Sequence, residues 1–269
     1  MLDITLSYQV VTGDCRDLIA EIPDAAVTLW VTSPPYAQNK PYEPGLDWEG
    51  LYSLISDVAS AALPKTAPEG YCFVNFGETT KYPRTMAELY QQAFTSAGWA
   101  AHSRRIWLKS FARCTLTGAM CHSTIPAAEW ECLWTFRCPP CTKEQVRNRN
   151  LSLRGVWQAT GDAAYAEHPA PFPPSLAAQA IEVWSDPGDL IVDPFAGVCS
   201  TGVAAISLGR RFIGLEQDPH WAQVGTQRLA ATNPPLPFDA APSAPPSAQS
   251  DLFSTTDAAD DAPDTEETT

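Results

Sequence analysis

Apolar residues along the chain follow two spacings, and the switches between them mark out its elements. Residues 26–31, Ala-Val-Thr-Leu-Trp-Val, read as a buried strand. It runs into Thr-Ser-Pro-Pro-Tyr, where two prolines end it because neither can donate to a ladder. Residues 48–63 have helical spacing, with Trp48, Leu51, Leu54, Ile55 and Val58 on one face. Glu69-Gly70 reads as a turn and Tyr71–Phe76 as a second strand. A helix over 84–96 is ended by Gly98, and strands follow at 99–108 and 129–136. Residues 137–160 are polar and basic with no clear period. Pro173–Trp184 reads as a helix stopped by Asp-Pro-Gly. The clearest unit comes next: strand 189–193, loop 194–199, helix 200–208, strand 211–216, helix 219–230. Strands alternating with helices predict an α/β fold built on a doubly wound, mostly parallel sheet.

The chain has 269 residues, enough for one domain with appendages. Residues 1–232 are expected to form that domain. From Asn233 the sequence is Pro, Ala, Ser, Thr and Asp, with eight acids and no Lys or Arg. Such a tail, 233–269, is too poor in apolar residues to offset its ordering entropy, so disorder is expected. No apolar run approaches a membrane-spanning length and no signal segment stands at the N-terminus, which points to the cytoplasm. The eight cysteines read as reduced thiols. The formal net charge of -14 argues against a nucleic-acid partner, but its distribution does not. Residues 102–154 hold nine bases against three acids, between an acidic first part (12 acids, 5 bases) and an acidic third part at 155–232 (8 acids, 3 bases). A phosphate-contacting surface accounts for that island.

Two loops carry chemistry. Asp193-Pro194-Phe195-Ala196-Gly197 follows a strand and precedes a helix, where open parallel sheets bind ligands. Glu216 ends the next strand 19 residues after Gly197, a spacing at which an acid can accept from both hydroxyls of a ribose. A nucleoside-containing ligand is expected there. In Ser33-Pro34-Pro35-Tyr36, the Ser33 side chain and the Pro34 carbonyl offer two acceptors held still by consecutive prolines. Two acceptors of this kind suit an exocyclic amine, a poor nucleophile until its N–H bonds are held so that the nitrogen lone pair faces a methyl donor. Tyr36 offers an aromatic face to a base taken out of its stack.

These motifs, in this order, resemble those of the amino-group DNA methyltransferases, in the permuted class whose catalytic motif precedes the cofactor motif. The resemblance runs from about Tyr8 to Leu229. It includes Gly13-Asp14, Ile22-Pro23, the strand into Ser33-Pro34-Pro35-Tyr36, Gly98-Trp99 with Ile106-Trp107-Leu108-Lys109, and Glu167-His168-Pro169-Ala170-Pro171-Phe172-Pro173. The run 193–197 and Gly209–Glu216 complete it. It implies a Rossmann-like sheet of the class I methyltransferases, S-adenosylmethionine as cofactor, and double-stranded DNA as substrate with base flipping. By resemblance Asp14 contacts the cofactor's adenine and Glu216 its ribose. His168, Pro169 and Phe172 lie beside the methionine moiety, and Asp193, Pro194, Phe195, Gly197, Ser200 and Thr201 make up the loop. Where the family usually has a second glycine this chain has Cys199, whose Cβ predicts a weakened cofactor fit. Residues 137–166 are expected to be a small target-recognition segment, short enough to suggest a short target or help from a second subunit. Ser at position 33 leans toward N4 of cytosine; Asp there leans toward N6 of adenine, the alternative. A non-catalytic DNA-binding relative is an alternative of another class.

Lys109, Arg137, Lys143, Arg147, Arg149 and Arg154 are the expected DNA contacts. Cys138-Pro-Pro-Cys141 has metal-ligand spacing with Cys114, Cys121 and His122 upstream, but the pairs lack a standard ribbon spacing and free cysteine is the better reading, so no metal is expected. In the tail, Gln249-Ser250-Asp251-Leu252-Phe253 resembles the peptide by which bacterial proteins dock in the sliding-clamp groove, with Leu252 and Phe253 as anchors.

Overall fold

The elements follow in the order β1 (Tyr8–Thr12), α1 (Cys15–Ala20), β2 (Val27–Thr32), α2 (Trp48–Lys65), β3 (Thr66–Phe76), α3 (Met86–Ser96), β4 (Ala100–Lys109) and β5 (Trp130–Arg137). The second half holds α4 (Arg149–Ser152), β6 (Val156–Ala159), α5 (Pro174–Trp184), β7 (Leu190–Asp193), α6 (Ser200–Ser207), β8 (Arg211–Glu216) and α7 (Pro219–Ala231). The computed structural model describes residues 2–37, 45–79, 81–109, 130–140, 148–159 and 172–232. Met1–Pro235 make one compact unit, and the second, Leu236–Thr269, lies outside the described residues, as does the sliding-clamp peptide.

Among the described residues, eight strands form one sheet in the order β1-β8-β7-β2-β3-β5-β4-β6. Only β5 is antiparallel to its neighbours; the other pairings are parallel. Strand β7 is buried at all four residues, and β2 at all but Thr28, as central strands covered by helices on both faces must be. One face is covered by α1, α2 and α3 through Ile19, Leu51, Ile55, Leu89 and Tyr90. The other is covered by α5, α6 and α7 through Leu176, Ile181, Trp184, Ala205 and Leu229. Helix starts are capped locally: Asp14 accepts from the Arg16 amide, Asp47 from the Gly50 amide, and Thr85 with Glu88 closes a capping box.

Chain direction places the site. From β2 the chain crosses by α2 to β3 on one side; from β7 it crosses by α6 to β8 on the other. β2 and β7 are adjacent, so the two crossovers leave a crevice at their carboxyl ends, the topological switch point of the sheet.

Three features depart from the sequence expectations. Glu69-Gly70 is not a turn between elements: β3 runs through it as a bulge, with Glu69 at φ 66° and the β2–β3 register shifting between Val27 and Leu29. Gly70 is required there, since a Cβ would come within 2.6 Å of Thr66 and 2.9 Å of the Thr28 carbonyl. The expected recognition segment 137–166 is partly built into the main sheet, because β6 pairs in parallel with β4 from Ile106 to Lys109. Finally, β1 and α1 were visible in the sequence only as a motif match at Gly13-Asp14. Of the described residues, no helix is long and apolar enough to cross a membrane, and no group of three or more His, Cys, Asp or Glu could hold a metal ion. Cys114, Cys121, His122 and Cys141 lie outside the described residues.

Candidate functional site

A cleft of about 720 Å³ opens at the switch point. Its walls come from four strand ends: Gly13-Asp14 after β1, Ser33–Tyr36 after β2, Pro194, Phe195 and Gly197 after β7, and Glu216–Pro219 after β8. Leu54 of α2 and Trp221 of α7 add apolar surface. That volume lies within the range typical of small-molecule and cofactor sites.

The cofactor-side wall is tied together through Glu216. One carboxylate oxygen accepts from the Gly197 amide at 2.7 Å and the other from the Asp218 amide at 2.9 Å, while the Glu216 carbonyl accepts from the Gly13 amide at 3.0 Å. The 19-residue spacing between Gly197 and Glu216 is therefore a direct contact across the cleft floor. Burial pushes the Glu216 carboxyl above its ordinary range, and the amides oppose that. Asp14 is held differently. Hydrogen bonds from the Arg16 guanidinium, at 2.5 Å to 3.2 Å, lower its carboxyl below the ordinary range against a smaller effect of burial. The residues fit the group that the sequence implies: an acid beside a glycine turn for a ribose, and Phe195, Leu54 and Trp221 for apolar parts of a nucleoside.

Four expected cofactor residues stand behind this wall instead of on it. Asp193 is fully buried and accepts from Thr32 Oγ1 at 2.7 Å, Thr201 Oγ1 at 2.7 Å and the Phe195 amide at 3.0 Å. It fastens the end of β2 to the start of α6 and so joins the Ser33–Tyr36 loop to the 194–199 loop. Desolvation raises its pKa to about 6 despite those three donors. Thr201 is spent on Asp193. Ser200 accepts from Arg228 at 3.2 Å, and Phe172 packs among the residues under α5. His168 and Pro169 lie outside the described residues.

Cys199 does not occupy the cleft. It takes the left-handed conformation (φ 58°, ψ 41°) that glycine favours, and it is fully buried. Its thiol is directed at α7, where a Cβ added to Gly225 would lie 2.5 Å from Sγ. The glycine missing from the loop is thus matched by one in the helix behind it, and Cys199 is not among the residues that line the cleft.

The Ser33–Tyr36 loop is clamped from outside. Tyr90 donates to the Pro35 carbonyl at 3.2 Å; Lys81 and Tyr82 donate to the Ala37 carbonyl at 2.8 and 3.1 Å. Among the described residues nothing donates to the Pro34 carbonyl, and Ser33 Oγ is bonded to Tyr36 Oη at 2.9 Å. The two expected acceptors therefore sit on the cleft wall in a loop whose neighbouring carbonyls are already occupied. Neither the clamp residues nor Glu131, which lies 3.4 Å behind Tyr36 Oη, was identified from the sequence. Tyr82, Tyr90 and Glu131 come from three segments that carry no motif of their own.

The structure separates the expected DNA contacts. Arg137 ends β5 opposite Tyr71 and Ala100, at the amino-terminal edge of the parallel strands. Because β5 runs antiparallel, it lies about 20 Å along the strand from the cleft end at Glu131. Lys109 is at the cleft end but is ion-paired with Glu131. Arg154 precedes β6 near the middle of β4. Lys143 and Arg147 lie outside the described residues, and the Arg149 side chain does as well. Two further bases of the segment are engaged in the fold: Arg105 is buried against Trp157 and Trp184, and Arg104 stacks over Trp134. Sequence charge alone could not tell these from surface bases.

A family model described as DNA methylase matches residues 27–227, from β2 into α7. The chain belongs to this family. The methylase is 25% identical to the type II methyltransferase M.BglI of Bacillus subtilis, over 81% of this chain and 84% of that one. It is 43% identical to the DNA adenine methyltransferase YhdJ of Escherichia coli K12 over 65 residues, 24% of this chain and 22% of the relative. Its fold matches TTHA0409 of Thermus thermophilus, solved with S-adenosyl-L-methionine, at a TM-score of 0.64 and 27% identity, covering 85% of this chain and 96% of the other. The protein is an S-adenosylmethionine-dependent DNA methyltransferase of the amino-methylating family, with the mostly parallel sheet expected of class I enzymes.

Proposed function

We propose that this methyltransferase modifies N4 of cytosine in double-stranded DNA. The observation that carries the reading is the pair of acceptors in Ser33-Pro34: the Ser33 hydroxyl and the Pro34 carbonyl, to which none of the described residues donates, on the wall of a cofactor-sized cleft. Glu216 and Asp14 hold the ribose and adenine of the cofactor, and Pro194, Phe195 and Gly197 shape the turn beside it. When bound, S-adenosylmethionine supplies the methyl group. Ser33 and Pro34 accept from the two N–H bonds of the amine, which turns the nitrogen lone pair toward the cleft's cofactor side. A stacked base cannot reach these atoms, so the base is flipped and packs on Tyr36. Ser in place of Asp at position 33 favours cytosine.

Nucleoside mass analysis of DNA from cells expressing the protein tests the reading: N4-methylcytosine is expected. A second reading, N6 of adenine, is favoured by the adenine methyltransferase that matches over 65 residues, and N6-methyladenine in the same analysis would establish it. Ser33→Ala should abolish most transfer while leaving cofactor binding intact; full transfer would remove the role given to Ser33. The tail adds a sliding-clamp tether. Deleting residues 249–253 should end clamp capture and leave transfer to short duplexes unchanged, and an unchanged pull-down would remove that proposal.

A further inference from the structure

Ser33 Oγ and Tyr36 Oη are 2.9 Å apart, and either can donate the hydrogen between them. The choice decides what Ser33 offers the amine. If Ser33 donates to Tyr36, only its lone pairs remain for the cleft. If it accepts from Tyr36, its own hydrogen is free to meet an incoming N–H. Behind Tyr36 are two groups that cannot donate: the Asn75 carbonyl at 3.5 Å and the Glu131 carboxylate at 3.4 Å. These distances are long, but a carboxylate attracts a hydroxyl dipole more strongly than a neutral acceptor does. Glu131 is 9% exposed and fixed in place, accepting from Asn75 Nδ2 at 2.9 Å and ion-paired with Lys109.

We infer that Glu131 is a positioning residue that sets Ser33 as an acceptor: it draws the Tyr36 hydrogen to itself, and the Tyr36 oxygen then takes the hydrogen of Ser33. Lys109 and Asn75 fix the carboxylate in place behind Tyr36 Oη. The inference rests on the proposed role of Ser33 toward an amine. No motif marks Glu131, since it reaches the loop from β5, two strands away from β2 in the sheet.

The test is a set of variants of the full chain, read by single-turnover methyl transfer to duplex DNA, cofactor affinity and thermal melting. Glu131→Gln is close to isosteric, but its amide can donate to Tyr36 and reverse the order of hydrogens. The rate should fall about 10-fold, the value of roughly 1.4 kcal/mol at the barrier, with cofactor affinity within about 2-fold of wild type. In a Tyr36→Phe background the same change should alter the rate by less than about 2-fold, because the link to Ser33 is already gone. An anchor acting only through the sheet would cost the same in both backgrounds. A second pair leaves the sheet intact: Tyr36→Phe should slow wild type several-fold but not slow Ser33→Ala further. A Glu131→Gln rate within about 2-fold of wild type, or equal losses in the two backgrounds, overturns the inference alone. No transfer by the wild-type enzyme overturns the proposed function and the inference with it.

Discussion

Gly225 and Cys199 form a size-matched pair behind the cofactor loop, and exchanging their sizes tests whether that match holds the loop in place. Gly225 lies inside α7, where alanine would ordinarily be favoured by about 1 kcal/mol. Here the added Cβ would sit 2.5 Å from Cys199 Sγ, 3.3 Å from Cys199 Cβ and 3.2 Å from the Gly197 carbonyl. The first distance is about 1 Å inside normal contact. Overpacking of this kind costs about 1–3 kcal/mol, so Gly225→Ala should be net destabilising by about 1 kcal/mol, or roughly 2–4 °C in melting temperature. The strain falls on Gly197, whose amide holds Glu216, so cofactor affinity should weaken as well. Cys199→Gly removes the obstruction and suits the left-handed backbone, but it leaves a void. In the double variant the new methyl enters the space left by the thiol. Urea titration of the four proteins should give a coupling energy of at least about 1 kcal/mol in favour of the double variant. Additivity within about 0.5 kcal/mol would refute the packing argument.

Asp193 supplies a pH signature. Its pKa is raised by burial from 3.8 to about 6, so the folded state holds its proton more tightly than the unfolded chain does. The stability contributed by the protonated form is complete below about pH 4 and is lost as pH rises through about 6. Asp193→Asn should therefore gain stability over wild type across that window, by roughly 3 kcal/mol at most, with no relative change above it; parallel curves from about pH 4 to 7 would contradict this. Glu216→Gln places an amide against the two backbone donors at Gly197 and Asp218, and a misfit of about 1–3 kcal/mol should weaken cofactor binding by about 10–100-fold in calorimetry. Tyr82→Phe and Tyr90→Phe each remove one donor to the catalytic loop and should slow transfer several-fold with cofactor affinity unchanged; slower transfer matched by an equal loss of affinity would place the clamp elsewhere.

Legibility in the sequence followed locality. The unit from Leu190 to Ala231 was readable because each buried strand is bounded by its own turn and cap, and the Gly197–Glu216 spacing became a hydrogen bond. The Ser33–Tyr36 loop was readable as a rigid segment because two prolines leave it few other conformations. What was hidden depends on contacts between distant segments. The bond from Thr32 to Asp193 joins residues 161 apart and leaves no trace in either local sequence. Nor does the loop sequence show that Cys199 faces Gly225 of α7. The basic island of 102–154 looked like one surface, but β5 reverses direction within it and carries Arg137 to the far end of the sheet. Strand β6 was missed because four residues alternating exposed and buried are too few to set a period.

The central claim is that Ser33 and Pro34 present a cytosine amine to the methyl donor. Mass analysis of nucleosides from DNA treated with the purified enzyme and S-adenosylmethionine tests it most directly. N4-methylcytosine from the wild type and its loss in Ser33→Ala are predicted. N6-methyladenine as the sole product, or N4-methylcytosine at an undiminished rate from Ser33→Ala, would contradict the account.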